Sequence, residues 1–102
     1  MLDECLDALV TDPKGIYVDG TLGNGGHSAG ILDRLDEGGV LIGVDRDIAA
    51  IGRVKDRLKS GAGKRVELVH DNYANMDQQL GRLGIKKVSG LLLDLGVSSF
   101  QL

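Results

Sequence analysis

Several residues that could do chemistry follow short apolar segments of this sequence. A glycine-rich loop at residues 20–26 comes directly after Asp19, and Asp45, Asp71 and Asp94 each follow a further apolar run. Glycines let backbone N–H groups approach an anion closely, and carboxylates accept hydrogen bonds from hydroxyls and amines. Together these features are typical of a site for a nucleotide-like ligand, although the loop by itself could be a plain turn.

The glycine loop does not have the spacing of a dinucleotide fingerprint. In the pattern G-x-G-x-x-G, Gly23 and Gly25 would be followed by a third glycine at position 28, which is Ser28. A helix predicted to begin near His27 would still present its positive end to an anionic group. The sequence therefore predicts an anion-binding turn without the NAD fingerprint.

Asp45 is the candidate for binding a ribose. It lies about 20 residues after the loop, the separation at which a carboxylate accepts from the two ribose hydroxyls in nucleotide-binding folds. This geometry serves NAD and S-adenosylmethionine alike. The alternative is a solvated residue at the end of a strand that caps the next helix.

Three further polar residues also have two interpretations each. His27 is either a ligand contact or a surface residue in the first turn of a helix. Tyr73 either stacks on a flat base or anchors a helix to the core. Asp94 either carries a functional carboxylate at the rim of the sheet or simply ends a strand.

Apolar periodicity predicts the elements that must position these residues. Strands are predicted at residues 16–19, 40–45, 66–70 and 88–94. Helices are predicted at residues 2–10, 27–35, 48–58 and 76–83. Because helix-length connections return the chain to the same sheet in parallel, the fold class is α/β with a parallel sheet and flanking helices. Ligands of such sheets bind beyond the carboxyl ends of the strands, where all the candidate residues lie.

Composition excludes several classes of protein. The 102 residues suffice for one domain, and a net charge of -3 argues against strong binding of a phosphate backbone by this segment. The lone Cys5 excludes an internal disulfide and a cysteine-rich zinc site, and no metal is expected. The sequence shows no membrane-spanning run and no signal peptide, so we expect a soluble cytoplasmic protein.

Three motifs together resemble one family. They are VDGTLGNGGHS at residues 18–28, GVDRD at residues 43–47 and LLLDLGVSSFQL at residues 91–102. The chain is similar to the MraW/RsmH methyltransferases, and the resemblance implies a Rossmann-like class I fold that binds S-adenosylmethionine. The positions that match the family's cofactor-binding residues are Gly25, Gly26, His27, Asp45, Tyr73, Asp94 and Gln101.

The resemblance also implies a reaction. Members of this family methylate the exocyclic amine of a cytosine in 16S ribosomal RNA of the small subunit, and Asp94 is the candidate catalytic residue. Residues 1–102 would form the N-terminal part of the cofactor-binding domain, truncated before the substrate domain and inactive alone. The resemblance leaves a homodimer open.

Two other functions stay open from the residues alone. One is a class I methyltransferase that acts on DNA, protein or a small molecule, and the other is a non-catalytic nucleotide-binding module. A sheet that stops at its fourth strand would leave an unpaired edge and uncovered apolar helix faces. We therefore expect the isolated chain to self-associate or to be marginally stable.

Overall fold

A computed structural model describes residues 2–22, 25–58, 64–72, 75–92 and 99–100 of the chain. Its elements in chain order are α1 Leu2–Leu9, β1 Ile16–Asp19, α2 Gly26–Arg34, β2 Val40–Asp45, α3 Ile48–Arg57, β3 Arg65–His70, α4 Met76–Arg82, β4 Gly90–Leu92 and β5 Ser99–Phe100. The predicted alternation of strands and helices is confirmed.

The strands form one sheet in the order β3-β2-β1-β4-β5, in which β1 to β4 run parallel. The chain builds outward from β1 to β2 and β3 and then returns to place β4 on the other side of β1. In open α/β sheets, ligands bind beyond the carboxyl ends of the two strands that flank such a change of direction, which here are β1 and β4. The two ends lie close together, since the Gly20 N–H donates to the Leu92 carbonyl at 2.7 Å.

The fourth strand begins at Gly90, two residues later than predicted. The Ile16 N–H donates to the Ser89 hydroxyl at 3.1 Å, and the Ser89 N–H donates to the Ile16 carbonyl at 2.6 Å. Because a side-chain oxygen takes the place of a strand carbonyl, regular pairing starts only where Tyr17 faces Gly90. The predicted end of this strand, at Asp94, lies outside the described residues.

The structure adds a strand that the sequence analysis lacked. The two-residue strand β5 pairs antiparallel with β4, with Leu91 opposite Phe100 and Leu92 opposite Ser99. A strand of two residues is too short to give an alternating pattern in the sequence, yet it occupies the edge that β4 would otherwise expose. In the described part of the chain, one large apolar side chain is exposed, that of Ile48. Self-association stays a prediction.

The sheet is packed on both faces. The face under α1, α2 and α3 contains Leu6, Leu9, Tyr17, Leu22, Ile31, Leu32, Leu35, Leu41, Val54 and Leu58. The opposite face contains Val18, Val40, Ile42, Val44, Val69 and Ile85, with Met76 and Leu80 of α4 packed against it. On β4, Leu91 packs with the second cluster and Leu92 with the first, which confirms the prediction of a strand covered on both sides. None of the helices in the described ranges is long and apolar enough to cross a bilayer.

Candidate functional site

Asp19, the last residue of β1, is the organising residue of the glycine loop. Its carboxylate is completely buried and accepts three hydrogen bonds from residues that the structure describes. The Thr21 N–H donates to Oδ1 at 2.7 Å and the Thr21 hydroxyl to the same oxygen at 2.5 Å, while the Ser28 hydroxyl donates to Oδ2 at 2.6 Å. A buried carboxylate needs such partners, since an unpaired one would be very costly. The loop is therefore tied to the strand before it and to the helix after it.

This role of Asp19 is not predictable from the sequence. By sequence, Asp19 is only the residue at the end of a strand, because Thr21 and Ser28 become its partners only when the loop closes. The available signal was a carboxylate followed by hydroxyl side chains two and nine residues later. That spacing has no fixed meaning without the strand and helix around it.

Gly25 is required at the start of α2. It is the N-cap residue, with φ 87° and ψ 9°, in the left-handed region that favours glycine. A Cβ there would lie 3.2 Å from Arg57 Cδ and 3.3 Å from Val54 Cγ2. Without a side chain, Gly25 supplies no capping oxygen to the N–H groups of the first turn. The helix therefore begins at a turn that needs glycine, and anion binding at its N-terminal end stays a prediction.

Leu22 brings the loop against β2. It is buried, and a Cβ on Gly43 would lie 2.6 Å from Leu22 Cδ2 and 2.9 Å from Leu68 Cδ2. The missing side chain at Gly43 thus makes room for the loop. Because Asp19 pairs in register with Gly43, Asp45 lies only two residues further along the adjacent strand. The loop and Asp45 are therefore on neighbouring strand tips.

Asp45 does not cap the next helix. The N-cap of α3 is Asp47, whose Oδ1 accepts from the Ala49 N–H at 2.9 Å. The partly exposed Asp45 accepts from the Asp47 N–H at 2.8 Å, which uses one of about four lone-pair positions on its carboxylate. The capping interpretation of Asp45 is wrong, and its carboxylate keeps acceptor capacity at the tip of β2.

Gly26 and His27 begin α2, and both are partly exposed. The His27 ring lies in the first turn with Nδ1 2.8 Å from the Thr21 hydroxyl oxygen. His27 therefore belongs to the hydrogen-bonded group around Asp19 and is not an isolated surface residue. Contact of Gly26 and His27 with a cofactor stays a prediction.

The tips of β2 and β3 are joined by hydrogen bonds. The Asp71 N–H donates to the Asp45 carbonyl at 2.9 Å, and His70 Nε2 donates to the Arg46 carbonyl at 2.8 Å. The Asp71 carboxylate accepts from the side-chain amides of Asn75 at 2.8 Å and Gln79 at 2.5 Å. These contacts, with the amide of Asn75 the largest cause, lower the pKa of Asp71 below its usual range. Asp71 therefore stabilises the start of α4 and is less available to a ligand.

Three of the predicted site residues, Tyr73, Asp94 and Gln101, lie outside the described residues. Of the other four, Gly25, Gly26 and His27 form the start of α2, and Asp45 lies at the tip of the adjacent strand β2. The structure thus brings the described candidates to the carboxyl-terminal end of the sheet.

A groove of about 470 Å³ is lined by residues other than these candidates. The described residues that line it are Ile51, Lys55, Leu58, Val66 and Leu68. They come from α3, from Leu58 directly after it and from the middle of β3, and Lys55 is the charged side chain among them. None of these described lining residues is among the predicted cofactor-binding residues.

Comparison with solved structures defines the class of fold. An rRNA methylase from Streptococcus thermophilus superimposes with a TM-score of 0.72 at 24% identity, over 92% of this chain and 52% of that chain. An O-methyltransferase from Bacillus cereus, solved in complex with S-adenosylhomocysteine, superimposes with a TM-score of 0.70 at 19% identity, over 90% and 43% of the two chains. The fold is that of the Rossmann-like S-adenosylmethionine-dependent methyltransferases.

The particular family follows from the sequence match. Residues 1–102 match the MraW methylase family, and the chain belongs to it. The ribosomal RNA small subunit methyltransferase H of Lachnospira eligens is 55% identical over 102 residues, which cover all of this chain and 32% of that protein. The chain thus spans about a third of the length of this curated relative.

Proposed function

We propose that this chain forms the cofactor-binding part of an S-adenosylmethionine-dependent methyltransferase that acts on small-subunit ribosomal RNA. The observation that carries the proposal is that the positive-φ turn at Gly25 and the carboxylate of Asp45 lie at the ends of two adjacent parallel strands, in a member of the MraW methylase family. The name of the Lachnospira eligens relative supports the RNA substrate. Since ribosomal subunits lie in the cytoplasm, we propose the same location for this protein.

The described residues fit S-adenosylmethionine. The carboxylate of its amino-acid end suits the N-terminal end of α2, where the positive end of the helix favours an anion. The two ribose hydroxyls suit the carboxylate of Asp45. Asp47, not Asp45, caps α3, so the Asp45 carboxylate is not used for that helix. Tyr73 and Gln101 complete the proposed set on the basis of family resemblance.

The proposed reaction is methylation of the exocyclic amine of a cytosine in 16S ribosomal RNA. S-adenosylmethionine supplies the methyl group from a sulfonium, so the protein's main task is to align the amine with that methyl group. We assign Asp94 to the amine, since a carboxylate that accepts from it raises its nucleophilicity and stabilises the developing positive charge. The cytosine must leave its stack to reach the strand tips.

The cofactor assignment is tested by calorimetry on the protein in its full native length. We expect S-adenosylmethionine to bind and NAD not to bind, because Ser28 breaks the dinucleotide fingerprint. Asp45→Ala should weaken binding by at least about tenfold, since it removes acceptors for two ribose hydroxyls. Asp47→Ala is the matched control, because it should cost about 1 kcal/mol of stability as a lost helix cap and leave affinity unchanged. Equal affinity of both variants would remove Asp45 from the site.

The substrate is tested by transfer of a labelled methyl group from S-adenosylmethionine to purified small ribosomal subunits. Digestion of the labelled RNA should release cytidine methylated on its exocyclic amine. Label that appears only on DNA, protein or a small molecule would refute the RNA assignment and leave the cofactor assignment intact.

The role of Asp94 is tested by measuring binding and transfer separately in Asp94→Ala. Lost transfer with retained cofactor binding supports a catalytic role. Lost binding reduces Asp94 to a cofactor ligand, and unchanged transfer refutes any role.

A further inference from the structure

The hydrogen bonds around Asp19 determine which nitrogen of His27 carries its proton. Oδ1 of Asp19 can only accept, and it receives both the N–H and the hydroxyl of Thr21. A hydroxyl has one proton, so the Thr21 oxygen faces His27 with its lone pairs. His27 Nδ1 lies 2.8 Å from that oxygen, and the contact is favourable only when Nδ1 carries the hydrogen.

The reverse arrangement is unfavourable. If the Thr21 hydroxyl donated its hydrogen bond to His27 instead, its oxygen would face Oδ1 of Asp19 at 2.5 Å with no hydrogen between the two oxygens. The buried carboxylate would then lose a charge-assisted hydrogen bond, which is about twice as strong as a neutral one. The order of donation is therefore His27 to Thr21 to Asp19.

We propose that Asp19, acting through Thr21, selects the Nδ1–H tautomer of the His27 imidazole, so that Nε2 accepts a hydrogen bond from the α-ammonium of the bound cofactor. The second half of this inference rests on the proposed function. In the described part of the chain, the Thr21 hydroxyl is the partner recorded for the His27 ring. The lone pair on Nε2 therefore remains for a donor.

The ammonium is the donor that fits best. The amino-acid end of S-adenosylmethionine carries its ammonium and its carboxylate on the same carbon. If the start of α2 binds the carboxylate, the ammonium lies close to the first turn of the helix, where His27 is. The ribose hydroxyls are assigned to Asp45. A His27 ring with its proton on Nε2 would direct that N–H at the N–H groups of the ammonium, and neither could accept. By keeping the proton on Nδ1, Asp19 and Thr21 therefore favour a ligand that carries an ammonium beside its carboxylate.

The tautomer is measured by nitrogen-15 NMR of the histidine rings in the full-length protein without ligand. The spectra are recorded at alkaline pH, where neutral imidazole is the form whose two tautomers nitrogen-15 shifts distinguish. His70 is an internal reference, because its Nε2 donates to the Arg46 carbonyl and must carry the proton. We expect the two histidines to show opposite tautomers. A proton on Nε2 of His27 in the unmodified protein would overturn the proposal without any variant.

Two variants of Thr21 distinguish an effect of its hydroxyl on the His27 tautomer from an effect of altered packing. Thr21→Ser keeps the hydroxyl and should preserve the Nδ1–H form of His27. Thr21→Val keeps the branched shape without the acceptor and should shift His27 toward the Nε2–H form. An unchanged tautomer in Thr21→Val would refute positioning through Thr21. This readout does not depend on cofactor binding.

The ligand half is tested with S-adenosylhomocysteine and its analogue that lacks the α-amino group. Calorimetry compares both ligands on the unmodified protein and on His27→Phe. Removal of the amino group should weaken binding to the unmodified protein by about tenfold and should matter far less in His27→Phe. The same loss in both proteins would overturn the ammonium assignment while the proposed function stands. No binding of S-adenosylhomocysteine at all would overturn the proposed function and leave the tautomer result untouched.

Discussion

The carboxylate of Asp19 and the hydroxyl of Ser28 meet at 2.6 Å, and both residues are completely buried. The bond joins the last residue of β1 to the first turn of α2, so the glycine loop between them is closed at both ends. Position 28 is also where the dinucleotide fingerprint would require glycine. Here the hydroxyl of Ser28 is a structural partner of Asp19, which explains why the loop departs from that pattern.

Loss of the Asp19 carboxylate should destabilise the fold strongly. Asp19→Ala leaves three donors without their acceptor, and we expect the free energy of unfolding to fall by about 3 kcal/mol. Ser28→Ala removes only one of these bonds and should cost about 1.5 kcal/mol, since the bond is to a charged group. Urea unfolding of the two variants measures the difference. Equal losses in both variants would show that Ser28 carries the whole effect.

The close approach of Leu22 to β2 should make Gly43 intolerant of a side chain. Gly43→Ala places a Cβ 2.6 Å from Leu22 Cδ2 in a buried setting and should cost about 1–3 kcal/mol. Gly52→Ala is the control, because Gly52 lies inside α3 with nothing within 4 Å of the added Cβ. That variant should be more stable by about 0.5–1 kcal/mol, since alanine favours helix. Thermal unfolding should move the two midpoints in opposite directions.

Alanine variants at two glycines with positive φ distinguish the effect of backbone strain from an effect on ligand binding. Alanine at Gly25 or at Gly84 meets an unfavourable left-handed backbone, with φ 87° and 75°, at a cost of roughly 1–2 kcal/mol. Only Gly25 lies at the proposed cofactor site. We expect Gly25→Ala to weaken S-adenosylmethionine binding by at least about tenfold, since the turn that presents the α2 N–H groups is altered. Gly84→Ala should show the strain with unchanged affinity, and a similar loss of affinity in both would argue for a global effect.

Asp71 should make stability depend on pH in the acid range. The amides of Asn75 and Gln79 and the N–H of Asn72 hold the pKa of Asp71 below its unfolded-state value. This contribution is fully present above the unfolded-state pKa, near 3.9, and is lost as the pH falls through the lower folded-state pKa. Urea unfolding at several pH values from about 6 to about 2 covers the range in which carboxylates titrate. The free energy of unfolding should change less steeply with pH in Asp71→Asn than in the unmodified protein. Identical slopes would contradict this assignment.

Local elements were predictable because local burial leaves a pattern in the sequence. The strands at Ile16–Asp19 and Val40–Asp45 are short apolar runs between turn residues, and the structure has them at the predicted bounds. The glycine loop and Asp45 lie at the ends of these two strands, as predicted, and their roles in cofactor binding stay predictions. The places of Tyr73, Asp94 and Gln101 stay predictions.

Long-range contacts decided the rest. The late start of β4 depends on Ser89 meeting Ile16, which is 73 residues away in the chain, and no local pattern records that meeting. The same holds for the burial of Asp19 and for the capping of α3 by Asp47, not Asp45. By itself, the sequence determined which segments are strands and helices and which residues lie at their ends, because periodicity reports local burial. Only the tertiary structure decided which of those ends meet and which carboxylate is used for the fold, because hydrogen-bond partners depend on how the strands are ordered in space.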